Sequence, residues 1–99
     1  MYLIRDVFRC KPGKAGALAR MFLATVPSME KEDGFRNVRV MTDAVADYWT
    51  VVLQAEVEDL AKFEGHMRSF GARPEVKAVL AGYMDLVDGG RREIYRIVE

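Results

Sequence analysis

The fold is decided by residues 2–41, whose sequence is YLIRDVFRCKPGKAGALARMFLATVPSMEKEDGFRNVRVM. From Tyr2 to Cys10, bulky and β-branched residues alternate with charged ones, which predicts a first strand. Apolar residues then recur at three- and four-residue steps, which indicates a helix with one buried side from about Pro12 to about Lys31. Asp33-Gly34 ends this helix, and Phe35 to Met41 is typical of a second strand. The segment is therefore expected to form a strand–helix–strand unit.

The second half of the sequence repeats this plan. A third strand is predicted over Tyr48–Ala55, and a second helix follows it with an apolar stripe that ends before Gly71. A fourth strand over Tyr83–Val87 and a fifth over Arg92–Val98 are separated by Asp88–Arg91, where paired glycines are typical of a tight hairpin turn. The expected fold class is α+β. It is a ferredoxin-like βαββαβ arrangement with an extra C-terminal strand, in which two main helices pack on an antiparallel sheet.

Length and composition restrict the possible functions. The chain has 99 residues, of which 51% are hydrophobic and 30% charged, so we expect one globular domain over residues 1–99. Fifteen basic and fifteen acidic side chains balance, which argues against a nucleic-acid partner. No uncharged stretch approaches the roughly 20 residues of a membrane span, so no membrane partner is expected. Cys10 is the single cysteine and no signal peptide is recognisable, which favours a cytoplasmic protein without disulfides.

The pattern of the third strand indicates that the sheet is covered on both faces. Its apolar residues fall on both sides, and the helices can cover only one of them, so a homodimer formed sheet against sheet is the simplest cover for the other. Arg5 and Arg9 of the first strand, with Tyr48 and Gln54 of the third, are predicted to lie at this dimer contact. The two arginines there could link the protomers or bind an anion.

Three short motifs resemble those of a known superfamily. Lys11-Pro12-Gly13 opens the first helix, Gly34-Phe35 opens the second strand, and Phe63-Glu64-Gly65-His66 lies in the second helix. With the order of elements, these motifs resemble the dimeric α/β-barrel superfamily, and within it the antibiotic-biosynthesis-monooxygenase and NIPSNAP-like proteins. The resemblance implies a dimeric α/β barrel with a small-molecule pocket between each protomer's sheet and its own helices. It implies either a cofactor-independent monooxygenase or a non-catalytic binding or structural module.

Two titratable residues are candidates for catalysis. His66 is the only histidine and therefore the first candidate for a general base near neutral pH, although it could equally be a structural residue at the edge of the buried stripe. Asp6 shares a strand face with apolar residues, so it is either a base or a paired structural carboxylate, with Arg36 or Arg39 as the expected partner.

Aromatic residues are expected to pack a substrate beside these groups. Trp49, Phe22 and Phe63 are predicted to contact it, and each could instead be ordinary core. No metal-ligand spacing and no GxGxxG run is present, so neither a metal nor an organic cofactor is expected, although His66 with carboxylates could still bind a metal. The haem-degrading members of the superfamily fit less well: His66 matches their histidine, but Asp6 and Glu56 stand where they carry asparagine and tryptophan.

Overall fold

The structure, a computed structural model, describes all 99 residues. The regular elements, in chain order, are β1 (Tyr2–Cys10), α1 (Ala15–Glu32), β2 (Arg36–Thr42), β3 (Thr50–Val57), α2 (Leu60–Ser69), α3 (Pro74–Val79) and β4 (Val87–Arg96). Short 3₁₀ turns at Phe70–Ala72 and Tyr83–Leu86 flank α3. None of the helices is both long and apolar enough to cross a bilayer.

The strands form one antiparallel sheet in the order β2-β3-β1-β4, which is the ferredoxin-like arrangement predicted from the sequence. Because β1 and β3 are central, their register determines which side chains share a face. Ile4 lies opposite Ala55, Asp6 opposite Leu53 and Phe8 opposite Val51. These residues point to the helices, as expected, and alternate with residues on the open face.

The core lies between the helices and this covered face. Leu18, Phe22 and Met29 of α1 pack on the β3 side chains Val51 and Val57, and all five are at least 96% buried. The apolar period of α1 and the alternation in β1 and β3 therefore meet in one layer, as the sequence predicts. The helix α2 is less buried, because Leu60 and Met67 of its apolar stripe are 39% and 51% exposed.

The predicted hairpin and the separate fourth strand are wrong, whereas most of the predicted fifth strand belongs to β4. Val87–Arg96 is one continuous strand that passes through Gly89 and Gly90, and the segment predicted as a fourth strand is a 3₁₀ turn. A Cβ on Gly90 would lie 2.2 Å from the carbonyl oxygen of Val7. Glycine is needed here because the backbones of β1 and β4 approach closely, and the pair of glycines does not reverse the chain.

The loop between β2 and β3 also differs from the prediction. Tyr48 and Trp49 were expected in the third strand, but both have positive φ angles, 64° and 49°, and the strand begins at Thr50. Asp43 closes the loop, since its Oδ1 accepts a hydrogen bond of 2.9 Å from the Thr50 N–H. The left-handed backbone turns Trp49 out of the strand register, so the prediction that it faces the helices is wrong.

Candidate functional site

A cavity of about 270 Å³ lies between the covered face of the sheet and the helices. Its volume is just below that of most small-molecule sites, which span roughly 300–1,000 Å³. Most of the wall is apolar and is formed by Phe8, Phe22, Leu53, Phe70, Leu80 and Tyr83. Three side chains able to carry charge, Asp6, His66 and Arg92, line the same cavity. It therefore combines an apolar surface with a few convergent polar groups.

Two aromatic contacts shape the apolar wall. The ring centroids of Phe8 and Phe22 are 4.9 Å apart, and those of Phe22 and Tyr83 are 6.3 Å apart. Phe8 projects from β1 and Phe22 from α1, so the wall joins the sheet to the helix. Such a surface favours a flat apolar ligand.

Asp6 is held by Arg92 across the β1–β4 pair. Arg92 Nε donates to Asp6 Oδ1 at 2.6 Å, and Nη2 donates to Oδ2 at 3.1 Å. The prediction that Arg36 or Arg39 pairs with Asp6 is wrong. Both arginines lie on β2, whereas β1 pairs with β3 and β4. The hydrogen bonds to Asp6 raise the pKa of Arg92. Arg92 also lies 5.1 Å from the ring centroid of Phe63.

His66 contacts a second aspartate. Its Nδ1 is 2.7 Å from Asp33 Oδ2, and its side chain is 11% exposed among the rings of Phe35, Phe63 and Phe70. The other ring nitrogen of His66, Nε2, makes no hydrogen bond within the chain and remains accessible to solvent. One ring nitrogen is therefore engaged and the other is free.

Arg73 completes this cluster. It donates through Nη1 to Asp33 Oδ2 at 3.1 Å and through Nη2 to Asp33 Oδ1. Burial alone would raise the pKa of Asp33, but the hydrogen bonds and positive charge of Arg73, with those of His66, outweigh it and lower that pKa below its ordinary value. The carboxylate of Asp33 is thus ionised near neutral pH although its side chain is only 3% exposed.

A second cleft, of about 470 Å³, lies outside the cluster and is lined only by polar residues and glycines. Asp33, His66 and Arg73 all border it, and Lys31 and Lys62 lie at its sides. His66 is the one residue that lines both this cleft and the apolar cavity. The imidazole therefore separates an apolar compartment from a polar one.

The predicted site residues are only partly brought together. Asp6, His66 and Phe22 share the cavity. Phe63 does not line it and packs beneath Arg92, and Trp49, 46% exposed, lies in the β2–β3 loop away from it.

The residues predicted for the dimer contact lie outside the cavity, and all but Tyr48 are on the open face of the sheet. Arg5 and Gln54 are cross-strand neighbours on the open face, where Arg5 pairs with Glu93 at 3.6 Å. Arg9 is exposed on the same face, and Tyr48 is 82% exposed in the β2–β3 loop.

Sequence reasoning missed Asp33, Arg73 and Arg92. In the sequence, Asp33 indicates only the end of the first helix. An acidic residue at a helix C-terminus interacts unfavourably with the helix dipole, so a nearby cation could have been expected. The φ angle of Gly34, 68°, turns the chain directly after Asp33 and leaves its side chain against α2. No local signal links it to residues 66 and 73.

The cluster does not suit a metal ion. No group of three or more histidine, cysteine, aspartate or glutamate side chains comes close enough to hold one. Both oxygens of Asp33 are already occupied by Arg73 and His66.

The comparisons with known proteins agree with this fold. A candidate antibiotic biosynthesis monooxygenase from Nitrosomonas europaea superposes with a TM-score of 0.78 at 15% identity, over 100% of both chains. One from Chloroflexus aurantiacus has a TM-score of 0.75 at 17% identity, over 99% of this chain and 93% of that one. An uncharacterised NIPSNAP domain protein from Burkholderia xenovorans has a TM-score of 0.79 at 13% identity, over 99% and 95%.

At these identities the structural matches establish the fold alone. No curated protein matches the sequence. The family model for antibiotic biosynthesis monooxygenase, however, matches residues 1–82, which is most of the chain. The chain therefore belongs to the antibiotic biosynthesis monooxygenase family.

Proposed function

We propose that the protein is a cofactor-independent monooxygenase in which His66 removes a proton from a small aromatic or carbonyl-bearing molecule. The observation that carries the proposal is the position of His66, which reaches an aromatic-lined cavity and is bonded through Nδ1 to Asp33 at 2.7 Å. A base oriented by a carboxylate, with its other nitrogen free, is the arrangement that general base catalysis needs.

The chemistry can be written for a methylene group next to an aromatic ketone. His66 Nε2 takes one proton from the methylene carbon, and the resulting carbanion transfers electrons to dioxygen. One oxygen atom stays on that carbon as a new carbonyl, and the other leaves as water with both of the carbon's hydrogens. Substrate and dioxygen thus balance with product and water, and no further reductant is required.

Arg92 is the residue that would stabilise the anion. Its Nε and Nη2 are engaged with Asp6, which leaves Nη1 free to donate to the oxygen on which negative charge develops. Asp6 then positions Arg92, and His66 takes the proton, although the sequence alone made Asp6 an equal candidate for the base.

The test is oxygen uptake with anthrone, a flat uncharged ketone with an acidic methylene group. His66→Gln should lower turnover at least about a hundredfold, since a positioned base contributes about that much. Arg68→Gln is the matched control, because Arg68 lies two positions further on the same helix and is exposed. Equal turnover of the His66→Gln variant and the wild type would overturn the role of His66.

The alternative is a non-catalytic NIPSNAP-like binding or structural module. The similarity to the NIPSNAP domain structure, as close as that to the monooxygenase-type structures, favours it. In that case anthrone would cause no oxygen uptake above the uncatalysed rate, even with the wild type. Failure of haem to give a shifted Soret band would separately exclude a haem-dependent reaction.

We further propose that the open sheet face forms a homodimer contact. The helices cover only one face, and Val7 and Val52 lie side by side on the other among charged neighbours. Arg5, Arg9 and Gln54 share this face and supply polar groups for a partner. Native mass spectrometry should report a dimer with any retained ligand, and Val52→Glu should give a monomer. A monomeric wild type would contradict the contact.

The buried, unpaired Cys10 is consistent with a reducing compartment, and we propose a cytoplasmic location on that basis. Targeted fractionation of the expressing cell, with the chain followed by antibody, would test it.

A further inference from the structure

The tautomer of His66 is constrained by the groups around Asp33. Asp33 Oδ1 accepts from Arg73 Nη2, while Oδ2 accepts from Arg73 Nη1 at 3.1 Å and lies 2.7 Å from His66 Nδ1. An ionised carboxylate can only accept hydrogen bonds. The hydrogen between Asp33 and His66 must therefore belong to Nδ1, and a neutral imidazole then has its lone pair on Nε2.

Arg73 is itself fixed from three directions. Besides Asp33, Nη1 donates to Ser28 Oγ at 2.9 Å and Nη2 donates to Ser69 Oγ at 3.1 Å. Ser28 lies on α1 and Ser69 at the end of α2, so the guanidinium joins the two helices at the point where Asp33 leaves α1. Its ring neighbour Phe70 lies 5.7 Å from the guanidinium carbon.

The shape of arginine matters for this arrangement. A guanidinium presents a planar fork of donors that can hold both oxygens of a carboxylate and still reach the two serines. A lysine ammonium is a single point of charge and cannot make the same set of contacts. An uncharged side chain would leave Asp33 buried and free to take up a proton, and a protonated carboxyl could donate to Nδ1.

We propose that Arg73 is a positioning residue for His66: by clamping Asp33 as a pure acceptor, it holds the imidazole in the Nδ1–H tautomer and keeps Nε2 free to take a proton from substrate in the cavity. The effect of Arg73 on catalysis rests on the proposed function, whereas its effect on the tautomer of His66 can be measured without any substrate. Arg73 contacts neither the cavity nor the substrate and acts only through Asp33.

The experiment is nitrogen NMR of ¹⁵N-histidine-labelled protein without ligand, at a pH where the imidazole is neutral. The chain has one histidine, so both ring signals belong to His66. The wild type should have a protonated Nδ1 and a bare Nε2. In Arg73→Gln the population of the Nε2–H tautomer should rise at least about tenfold, because the bond at Nδ1 sets which nitrogen is protonated. Arg68→Gln should leave the signals unchanged.

Arg73→Lys keeps the positive charge and is the second variant, in case Arg73→Gln does not fold. It should shift the tautomer populations in the same direction and by less. Unchanged ring signals in a folded Arg73→Gln or Arg73→Lys variant would overturn the proposal, as would a wild type with Nε2 protonated.

Turnover of anthrone separates this proposal from the function on which it rests. If both hold, Arg73→Lys should lower kcat about 10- to 100-fold with little change in KM, as the loss of an outer orienting partner does. If the wild type shows no turnover but its tautomer depends on Arg73, the proposed oxygenase function fails and the positioning role stands. A kcat loss without a tautomer change would instead make Arg73 a structural residue.

Discussion

The molecule contains two aspartate–arginine pairs, each with two hydrogen bonds to the carboxylate, in different surroundings. Asp6 and Arg92 pair across neighbouring strands, with side chains 18% and 40% exposed. Asp33 and Arg73 pair between the ends of helices, with side chains 3% and 15% exposed. Only the second pair contacts a histidine.

Burial gives the same kind of contact a different role in each pair. The strand pair is partly hydrated, so water can replace either partner when the other is lost, and such pairs contribute little to stability. In the helix pair the carboxylate has almost no access to water and depends on its protein partners. The more buried pair can therefore hold His66 in one orientation, whereas the more exposed pair leaves Arg92 accessible to a ligand.

The largest expected effect comes from removing each arginine in turn. Arg73→Met should lower the free energy of unfolding by about 3–5 kcal/mol, because the buried carboxyl of Asp33 loses both hydrogen bonds from Arg73 and must either stay charged or take up a proton. Arg92→Met should lower it by about 1 kcal/mol or less, since Asp6 can turn to water. Urea denaturation followed by circular dichroism measures both.

The double variant Asp33→Asn/Arg73→Met serves as the control. It removes the buried charge together with its partner and should recover part of the stability lost in Arg73→Met. Equal losses in the two single arginine variants would show that burial does not distinguish the pairs.

The sequence predicts the positions of Asp6 and His66 but not the contact of Asp33 with Arg73. The alternation in β1 placed Asp6 on the covered face, and the stripe of α2 placed His66 beside Phe63 and Phe70, because both patterns are local. The contact of Asp33 with Arg73 joins residues 40 positions apart, and no periodicity encodes it.

Local signals also failed where the chain departs from regular geometry. The Gly89-Gly90 pair predicts a hairpin because glycine permits tight turns, whereas the close approach of β1 is the actual reason for glycine at residue 90. Trp49 was placed by alternation, which does not apply once two consecutive residues adopt positive φ angles.

A substitution at Gly90 should disturb the Asp6–Arg92 pair without replacing either residue of the pair. Gly90 lies two residues before Arg92 and allows β4 to approach β1, where a new Cβ would meet backbone atoms of Val7 and Phe8 at 2.2 and 3.1 Å. Gly90→Ala should therefore lower the free energy of unfolding by about 2 kcal/mol. It should also shift the amide signals around Arg92 while leaving those of His66 unchanged.

Gly89→Ala is the matched control, because a Cβ there would meet only the flexible end of the Arg9 side chain. Its effect should stay within about 0.5 kcal/mol. If Gly90→Ala were as mild as Gly89→Ala, the close approach of the two strands would not explain the glycine.

The smallest of the three effects is the contribution of Asp33 to stability as the pH falls. The pKa of Asp33 is lower in the folded chain than its ordinary value of 3.8, so the folded state binds a proton less readily than the unfolded state. The stabilisation by ionised Asp33 is thus fully present above pH 3.8. It is lost as the pH falls through the lower pKa that Asp33 has in the folded chain. Burial opposes the hydrogen bonds of Arg73 and His66, so the net contribution is less than those hydrogen bonds alone would give. The difference in unfolding free energy between the wild type and Asp33→Asn, measured by urea denaturation from pH 6 downward, should therefore narrow only at acid pH. A difference that is constant over the whole range would mean that Asp33 stabilises the fold by its shape and hydrogen bonds, and that its charge is not what holds Arg73 and His66 together.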